Sequence, residues 1–375
     1  MTKFIKKKVY KKAGELPEIP PAVVEEYKNN ILSLISLVND YMTKRDDIKE
    51  LIGYNPLEVM YNNHENHVRF MVNVFKIGDY KLLIRTVIWV YRTYVLKGFS
   101  YQYFPVELNA WIKAVKKSLN EEKAKPVIKV YDWLIDNHEK FVALSQTEEK
   151  SKIEISEKWQ DTYELFFQGL LNGNHKKCLE LAKKKVNSSR ELIEFFEKIV
   201  QPALYNIGLL WENGDISVAE EHLASSIVSR IISSFYSMFL VDKITRGKTI
   251  ITAIANEYHE IGARLIADAL EYKGWDVEYL GANIPKKDLI DILLKIRPFF
   301  LGLSVTLPFN IENAIDTITE IRSIPELKDI NILIGGKVFN ENPELWKKTG
   351  ADAWAADTRE AKIIAEKWWQ EQKGD

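Results

Sequence analysis

One histidine, His259, lies in a short polar run, Asn256-Glu257-Tyr258-His259-Glu260-Ile261-Gly262, that follows the apolar stretch Thr249–Ala255. A neutral imidazole is a good ligand for a first-row transition metal, and a neighbouring carboxylate fixes its tautomer and raises its basicity. Two other runs follow apolar stretches in the same way: Ser304-Val305-Thr306-Leu307-Pro308 and Gly335-Gly336-Lys337. Short hydroxyls at Ser304 and Thr306 suit a buried polar atom. Paired glycines let backbone approach a bulky ligand without a Cβ clash. Alone, His259 would carry little weight, since a lone loop histidine ordinarily ligates nothing. The three runs together define a site.

The elements around them place all three runs on one edge. After Arg246-Gly247-Lys248, short apolar runs alternate with amphipathic helices: Thr249–Ala255 then 261–273, Asp276–Leu280 then 286–296, Phe299–Ser304 then 310–322. Ile330–Ile334 is followed by 341–349, and Ala353-Trp354-Ala355 by a closing helix over 358–371. This grammar predicts a Rossmann-like open parallel sheet with helices on both faces, which binds ligands beyond the carboxyl ends of its strands. Upstream, residues 157–242 read as a four-helix bundle broken at Gly173-Asn174, Ser188-Ser189 and Gly214-Asp215. Residues 22–145 show helical spacing throughout, as in Val68, Met71, Val72 and Phe75. Residues 1–20 are lysine-rich and then proline-rich, a tail and linker, and Gln146–Ser156 is a second linker. The expected division is 1–150, 151–244 and 245–375, a multidomain α and α/β chain.

Balanced charge, 52 basic against 53 acidic side chains, gives no general pull toward nucleic acid or membrane. The lysines at 3, 6, 7, 8, 11 and 12 read as a solvated arm. A single cysteine, Cys178, excludes an intrachain disulfide and a thiolate metal cluster. No apolar run reaches 18 residues. The expectation is a cytoplasmic protein without membrane spans.

Residues 248–370 resemble the cobalamin-binding domain of corrinoid methyltransferases, mutases and light sensors. The pattern Asp/Glu-x-His-x-x-Gly, then Ser-x-Thr/Leu, then Gly-Gly is met by Glu257, His259 and Gly262, by Ser304 and Thr306, and by Gly335 and Gly336. The resemblance extends through Tyr279-Leu280-Gly281 and Gly350-Ala351-Asp352. It implies that His259 is the lower ligand of the cobalt, oriented by Glu257, with the nucleotide tail beside Ser304, Thr306 and Gly335. Tyr258, Glu260, Ile261, Leu307, Gly336, Lys337 and Ala351 complete the implied cofactor contacts.

In the bundle, Trp211 is followed at the same spacing by Glu221-His222 as in the cap of adenosylcobalamin-dependent photoreceptor transcription factors. Read as residues alone, they are a core tryptophan and a solvated helix face; the resemblance implies a clamp against the 5′-deoxyadenosyl group. One departure is Glu212, where the light-dependent repressors carry a histidine that takes the upper cobalt position after photolysis. If light releases the adenosyl group here, that position would fall to another ligand, such as water or His222. Methyl-carrying corrinoid proteins usually continue Gly-Lys after the histidine motif, where this chain has Gly262-Ala263.

Residues 1–150 show no helix-turn-helix and no basic face, so no direct DNA binding is expected. They carry His64 and His67 three apart, Arg85 and Arg92 seven apart, and aromatics from Trp89 to Phe104. As residues alone they make an aromatic helical core with two surface histidines. The segment also resembles the N-terminal domain of photocobilins, which implies biliverdin, with His64 and His67 toward its pyrrole nitrogens and Arg85 and Arg92 on its propionates. The expected function is a non-enzymatic adenosylcobalamin light sensor, a light-dependent homo-oligomer acting on a separate output protein. The alternatives are a corrinoid methyl carrier of a methyltransferase system and a sensor of cobalamin level that does not use light.

Overall fold

The computed structural model describes residues 2–147, 153–238 and 243–374. Packing divides the chain into two units, Met1–Lys150 with Glu212–Asp215, and Ser151–Trp211 with Ile216–Asp375. Part of the expected linker, residues 148–152, and the expected end of the bundle, 239–242, lie outside the described residues.

The described part of the first unit up to residue 147 is helical. Its long helices are Ile31–Thr43, Leu57–Ile77, Tyr80–Leu96, Tyr103–Ser118 and Glu121–Asp136. Local chemistry sets the breaks. Gly78 ends the helix Leu57–Ile77 in the left-handed region at φ 66°, and Asp79 caps the next by accepting from the Lys81 and Leu82 amides. The solvated arm expected at the N-terminus is instead a helix, Thr2–Ala13. Val9 and Ala13, four residues apart, are buried, and the helix packs on Tyr80–Leu96 and His138–Ser145. A narrow apolar stripe suffices to dock a helix whose other faces are lysine.

The second unit opens with the four-helix bundle. Its helices are Glu157–Leu171, His175–Lys185, the run Ser189–Phe195 that continues through a π turn at Phe196–Val200 into Gln201–Asn213, and Val218–Phe235. Asn174, Ser188 and Ser217 cap the three entries after the breaks seen in the sequence. Phe166, Phe195, Ile199, Val228 and Ile232 form its interior. Among the described residues no helix is long and apolar enough to cross a membrane.

The sheet follows, with strands β1 (Lys248–Ala253), β2 (Asp276–Gly281), β3 (Phe300–Ser304), β4 (Asn331–Gly335) and β5 (Ala353–Ala355). All pairs are parallel, in the order β2-β1-β3-β4-β5. Ile251, Phe300, Leu333 and Ala355 cover one face and pack on the helices Ile261–Tyr272 and Thr358–Lys373. Register aligns the strand ends: Ala253 pairs with Ser304, Ser304 with Gly335, and Gly335 with Ala355. The chain reverses its direction of growth between β1 and β3, and a parallel sheet opens a ligand crevice at that point. The helix expected over 341–349 is divided, with an α-helix Lys337–Glu341 and a 3-10 segment Pro343–Lys348. Pro343 is the cause, because it forces Asn342 out of the helical region, to φ −143° and ψ 81°.

Candidate functional site

At the crevice, Glu257 is fully buried and both of its carboxylate oxygens are taken. Oε1 is 2.5 Å from His259 Nδ1 and accepts the His259 amide at 3.1 Å. Oε2 accepts the Thr306 and Leu307 amides at 2.8 and 2.9 Å, and Asn310 Nδ2 at 3.1 Å. Burial alone would raise this carboxyl, but the bonds from His259 and the Leu307 amide outweigh it and hold it at about 2. A permanent carboxylate therefore faces Nδ1, which must carry the proton, so the lone pair of His259 resides on Nε2. The side chain is 53% exposed. An imidazole held in this tautomer is the donor that a cobalt centre needs.

The neighbours divide into props and open surface. Tyr258 is 70% exposed, its hydroxyl accepting from Asn283 Nδ2 at 3.2 Å. The Glu260 carbonyl accepts from the Tyr279 hydroxyl at 3.3 Å. Ile261 packs against the bundle core, and Gly262 faces open space. Ser304 closes β3, between Ala253 and Gly335. Thr306 and Leu307 serve Glu257 through their backbone amides. Gly336 stands at φ 113°, where a Cβ would lie 2.1 Å from the Val305 carbonyl oxygen. No other residue type fits there. Lys337 Nζ lies 6.0 Å from the Tyr205 ring centroid, linking the Gly-Gly loop to the bundle. Ala351 is half-buried just before β5.

The cap carries a second carboxylate-held imidazole. His222 Nδ1 is 2.6 Å from Glu221 Oε2, and Glu221 Oε1 accepts the Ser225 hydroxyl at 2.8 Å. His222 is 74% exposed. Trp211 and Glu212 are half-buried near the end of the helix Gln201–Asn213. The helix bearing Glu221 and His222 is tied to the one that starts beside His259: Arg264 Nη2 donates to Ser233 Oγ at 2.9 Å, and the Tyr236 hydroxyl to Glu271 at 3.2 Å.

In the first unit His64 and His67 are not surface residues. His64 is fully buried, bonded to Asn39 Oδ1 at 2.6 Å and the Tyr103 hydroxyl at 3.1 Å. His67 reaches the Tyr131 hydroxyl at 3.2 Å and stacks on Trp111 at 4.9 Å. Burial pushes both down to about 3. Glu107, whose Oε1 accepts the Trp111 indole N–H at 3.0 Å, is raised by burial to about 7. The spacing of Arg85 and Arg92 suggested a clamp for propionates, but Arg92 is buried and holds the Ser145 and Thr147 carbonyls at 3.1 and 2.9 Å. Free carbonyls at the end of the helix His138–Ser145 claim its guanidinium. Arg85 is half-buried.

Sequence reasoning missed Asn310, Asn313 and Asn283. Asn313 Nδ2 donates to the Ala255 carbonyl at 3.0 Å, and Asn283 Oδ1 accepts the Asn256 amide at 2.8 Å. Asparagine at a helix start reads as a cap, and this masked Asn310.

Two family models match the chain, each described as a B12 binding domain: one over residues 247–363, and a second over 162–234. The two matches fall on the Rossmann-like sheet and on the helical bundle described above. Among curated relatives, the HTH-type transcriptional repressor CarH of Myxococcus xanthus is 30% identical over 145 residues, 38% of this chain and 47% of its own length. The chain thus spans about half of that relative. Dimethylamine corrinoid protein 1 of Methanosarcina acetivorans is 20% identical over 187 residues, 49% of this chain and 84% of its own. Among solved structures, the Methanosarcina barkeri monomethylamine corrinoid protein aligns over 56% of this chain and 99% of its own, with 18% identity and a TM-score of 0.49.

Proposed function

We propose that this chain is an adenosylcobalamin-dependent light sensor that signals through a change in its quaternary structure. The observation that carries the reading is His259, fixed by Glu257 with Nε2 outward on the crevice edge. The cap supplies Trp211 and the Glu221–His222 pair, with Val218 and Leu223 exposed at 46% and 48% on the same helix. Apolar side chains left in solvent beside an oriented imidazole suit contact with a bound group. Adenosylcobalamin supplies a light-labile cobalt–carbon bond when bound. His259 would hold the cobalt, and the cap surface around Trp211 and Glu221–His222 would meet the adenosyl group, so that its loss would alter the packing there, which is what a population shift requires.

A second reading, a corrinoid methyl carrier, is supported by the alignment across 84% of a dimethylamine corrinoid protein. Light separates the two. The protein is loaded with adenosylcobalamin in the dark, and its absorption spectrum and size-exclusion profile are recorded before and after green illumination. Photolysis changes the spectrum in either case, so the elution volume decides: the sensor reading predicts that it shifts with the spectrum, and an elution volume unchanged after complete photolysis leaves the carrier or a sensor of cobalamin level. Biliverdin in the first unit is proposed on the photocobilin resemblance and the buried histidine–tyrosine–tryptophan cluster. A biliverdin titration without a spectral shift removes that cofactor and leaves the cobalamin reading standing.

A further inference from the structure

The helix Thr2–Ala13 meets the rest of the first unit along one narrow line, with Val9 and Ala13 buried. Phe4, Lys7, Lys8 and Lys11, spaced i, i+3, i+4 and i+7, fall together on the opposite face. The three lysines are exposed, and Phe4 is 73% exposed. The helix contains no aspartate or glutamate, so none of this charge is offset along it. Folded as a helix rather than a solvated arm, the segment carries a basic face with one aromatic ring at its end.

Positive charge extends beyond that face. Burial, and then the like charges of Lys12 and Lys8, push the Lys140 ammonium below its ordinary value, with Asp136 opposing them. Lys140 belongs to the helix His138–Ser145, on which the lysine helix packs. Like charges gathered in this way repel one another in the free protein and are relieved when an anionic surface approaches. Phe4 narrows the choice of anion. A ring held outward among ammonium groups is matched where anionic and apolar layers adjoin, as at the headgroup–acyl boundary of a bilayer. Duplex nucleic acid is a poorer match, because the face has no Arg, Asn or Gln to reach base edges. An acidic helix or strand of a partner would need a groove or a sheet edge, and this face is convex.

We propose that this face is a docking surface for an anionic phospholipid bilayer, with Lys7, Lys8 and Lys11 on the headgroup phosphates and Phe4 inserted beside them. The helix lies along the membrane surface, held to the fold by Val9 and Ala13, and no spanning segment is involved. Each lysine close to an anionic leaflet strengthens partition by about five-fold. One such helix therefore gives a reversible attachment that salt weakens by screening the lysines. The attachment is independent of cobalamin, so its failure would leave the His259 site untouched.

The test is sedimentation of the full-length protein with sucrose-loaded vesicles, either of phosphatidylcholine alone or with about one-third phosphatidylserine, at low and high salt. The protein should pellet with the mixed vesicles at low salt and remain in solution with the neutral ones. Lys7→Gln, Lys8→Gln and Lys11→Gln together should weaken partition about 100-fold, and Phe4→Ser about 10-fold. All four side chains are exposed, so the thermal melts should match wild type. Lys183→Gln, Lys184→Gln and Lys185→Gln, an equal charge change at an exposed run on another helix, should leave partition unchanged. Failure to pellet with the mixed vesicles, equal pelleting with neutral ones, or wild-type partition in the triple variant overturns the proposal. An equal loss in the control, or wild-type partition of Phe4→Ser, overturns it as well. Binding of a random-sequence DNA duplex through the same lysines, without vesicle binding, would assign the face to nucleic acid instead.

Discussion

Replacing Glu257 by glutamine changes one atom and forces a choice on the site. If the glutamine keeps its oxygen toward the Thr306 and Leu307 amides, which lie 2.8 and 2.9 Å from Oε2, its NH2 faces His259. The imidazole must then accept at Nδ1 and carry its proton on Nε2, which leaves no lone pair for cobalt. The opposite flip points the NH2 at two backbone N–H groups and abandons both bonds. Either way the site loses a charge-assisted bond of about 1.5–3 kcal/mol, which is roughly a 10- to 150-fold weaker complex. Fold stability changes less, because a buried charge is removed together with its partners' bonds. The assay is a cobalamin titration, with 15N shifts of the His259 ring in the apo-protein reporting the tautomer. Wild-type affinity together with a retained Nδ1–H tautomer in Glu257→Gln would refute this reasoning.

Three further outcomes are expected. The first unit should be most stable near pH 6.5. His64 and His67 fall from 6.5 to about 3 on folding, and Glu107 rises from 4.5 to about 7. Between pH 4.5 and 6.5 the unfolded state therefore carries two extra histidine protons and one fewer on Glu107. Stability falls on acidification by about one proton's worth, roughly 1.4 kcal/mol per pH unit. Thermal unfolding across this range should show that slope, and His67→Gln should flatten it; an unaltered slope contradicts the assignment. Gly336→Ala must fit a Cβ 2.1 Å from the Val305 oxygen at φ 113°, so the melt should report a loss of about 1–3 kcal/mol or more, and an unshifted melt would contradict it. Arg92→Met should destabilise the first unit by about 1–3 kcal/mol through the unpaired Ser145 and Thr147 carbonyls, without altering cobalamin binding; equal loss of binding would show that Arg92 serves the site.

The strands were legible because each is a short apolar run bounded by glycine, proline or charge, and their parallel order followed from the helices between them. The site was legible for the same reason: Glu257, Ser304 and Gly335-Gly336 each follow such a run. What escaped depends on contacts between distant segments. The stripe Val9 and Ala13 is too narrow to outweigh the six lysines of its helix by composition, yet a docking surface buries it. His64 and His67 read as surface residues because their partners Asn39, Tyr103, Tyr131 and Trp111 come from other helices. Asn310 carried the signal of a cap, and only the fold shows its amide turned to Glu257. Pro343 was visible in the sequence, and its effect on the residue before it would have divided the 341–349 helix correctly.

The central claim is that His259 Nε2 is the lower ligand of a cobalamin. The direct measurement is electron paramagnetic resonance of cob(II)alamin bound to wild type and His259→Ala, each with 14N- and 15N-labelled histidine. The account predicts that the cobalt signal of the wild type changes from a nitrogen triplet to a doublet on 15N labelling, and that the substitution abolishes this change. An isotope-insensitive wild-type signal, or a triplet-to-doublet change that survives in His259→Ala, would contradict it.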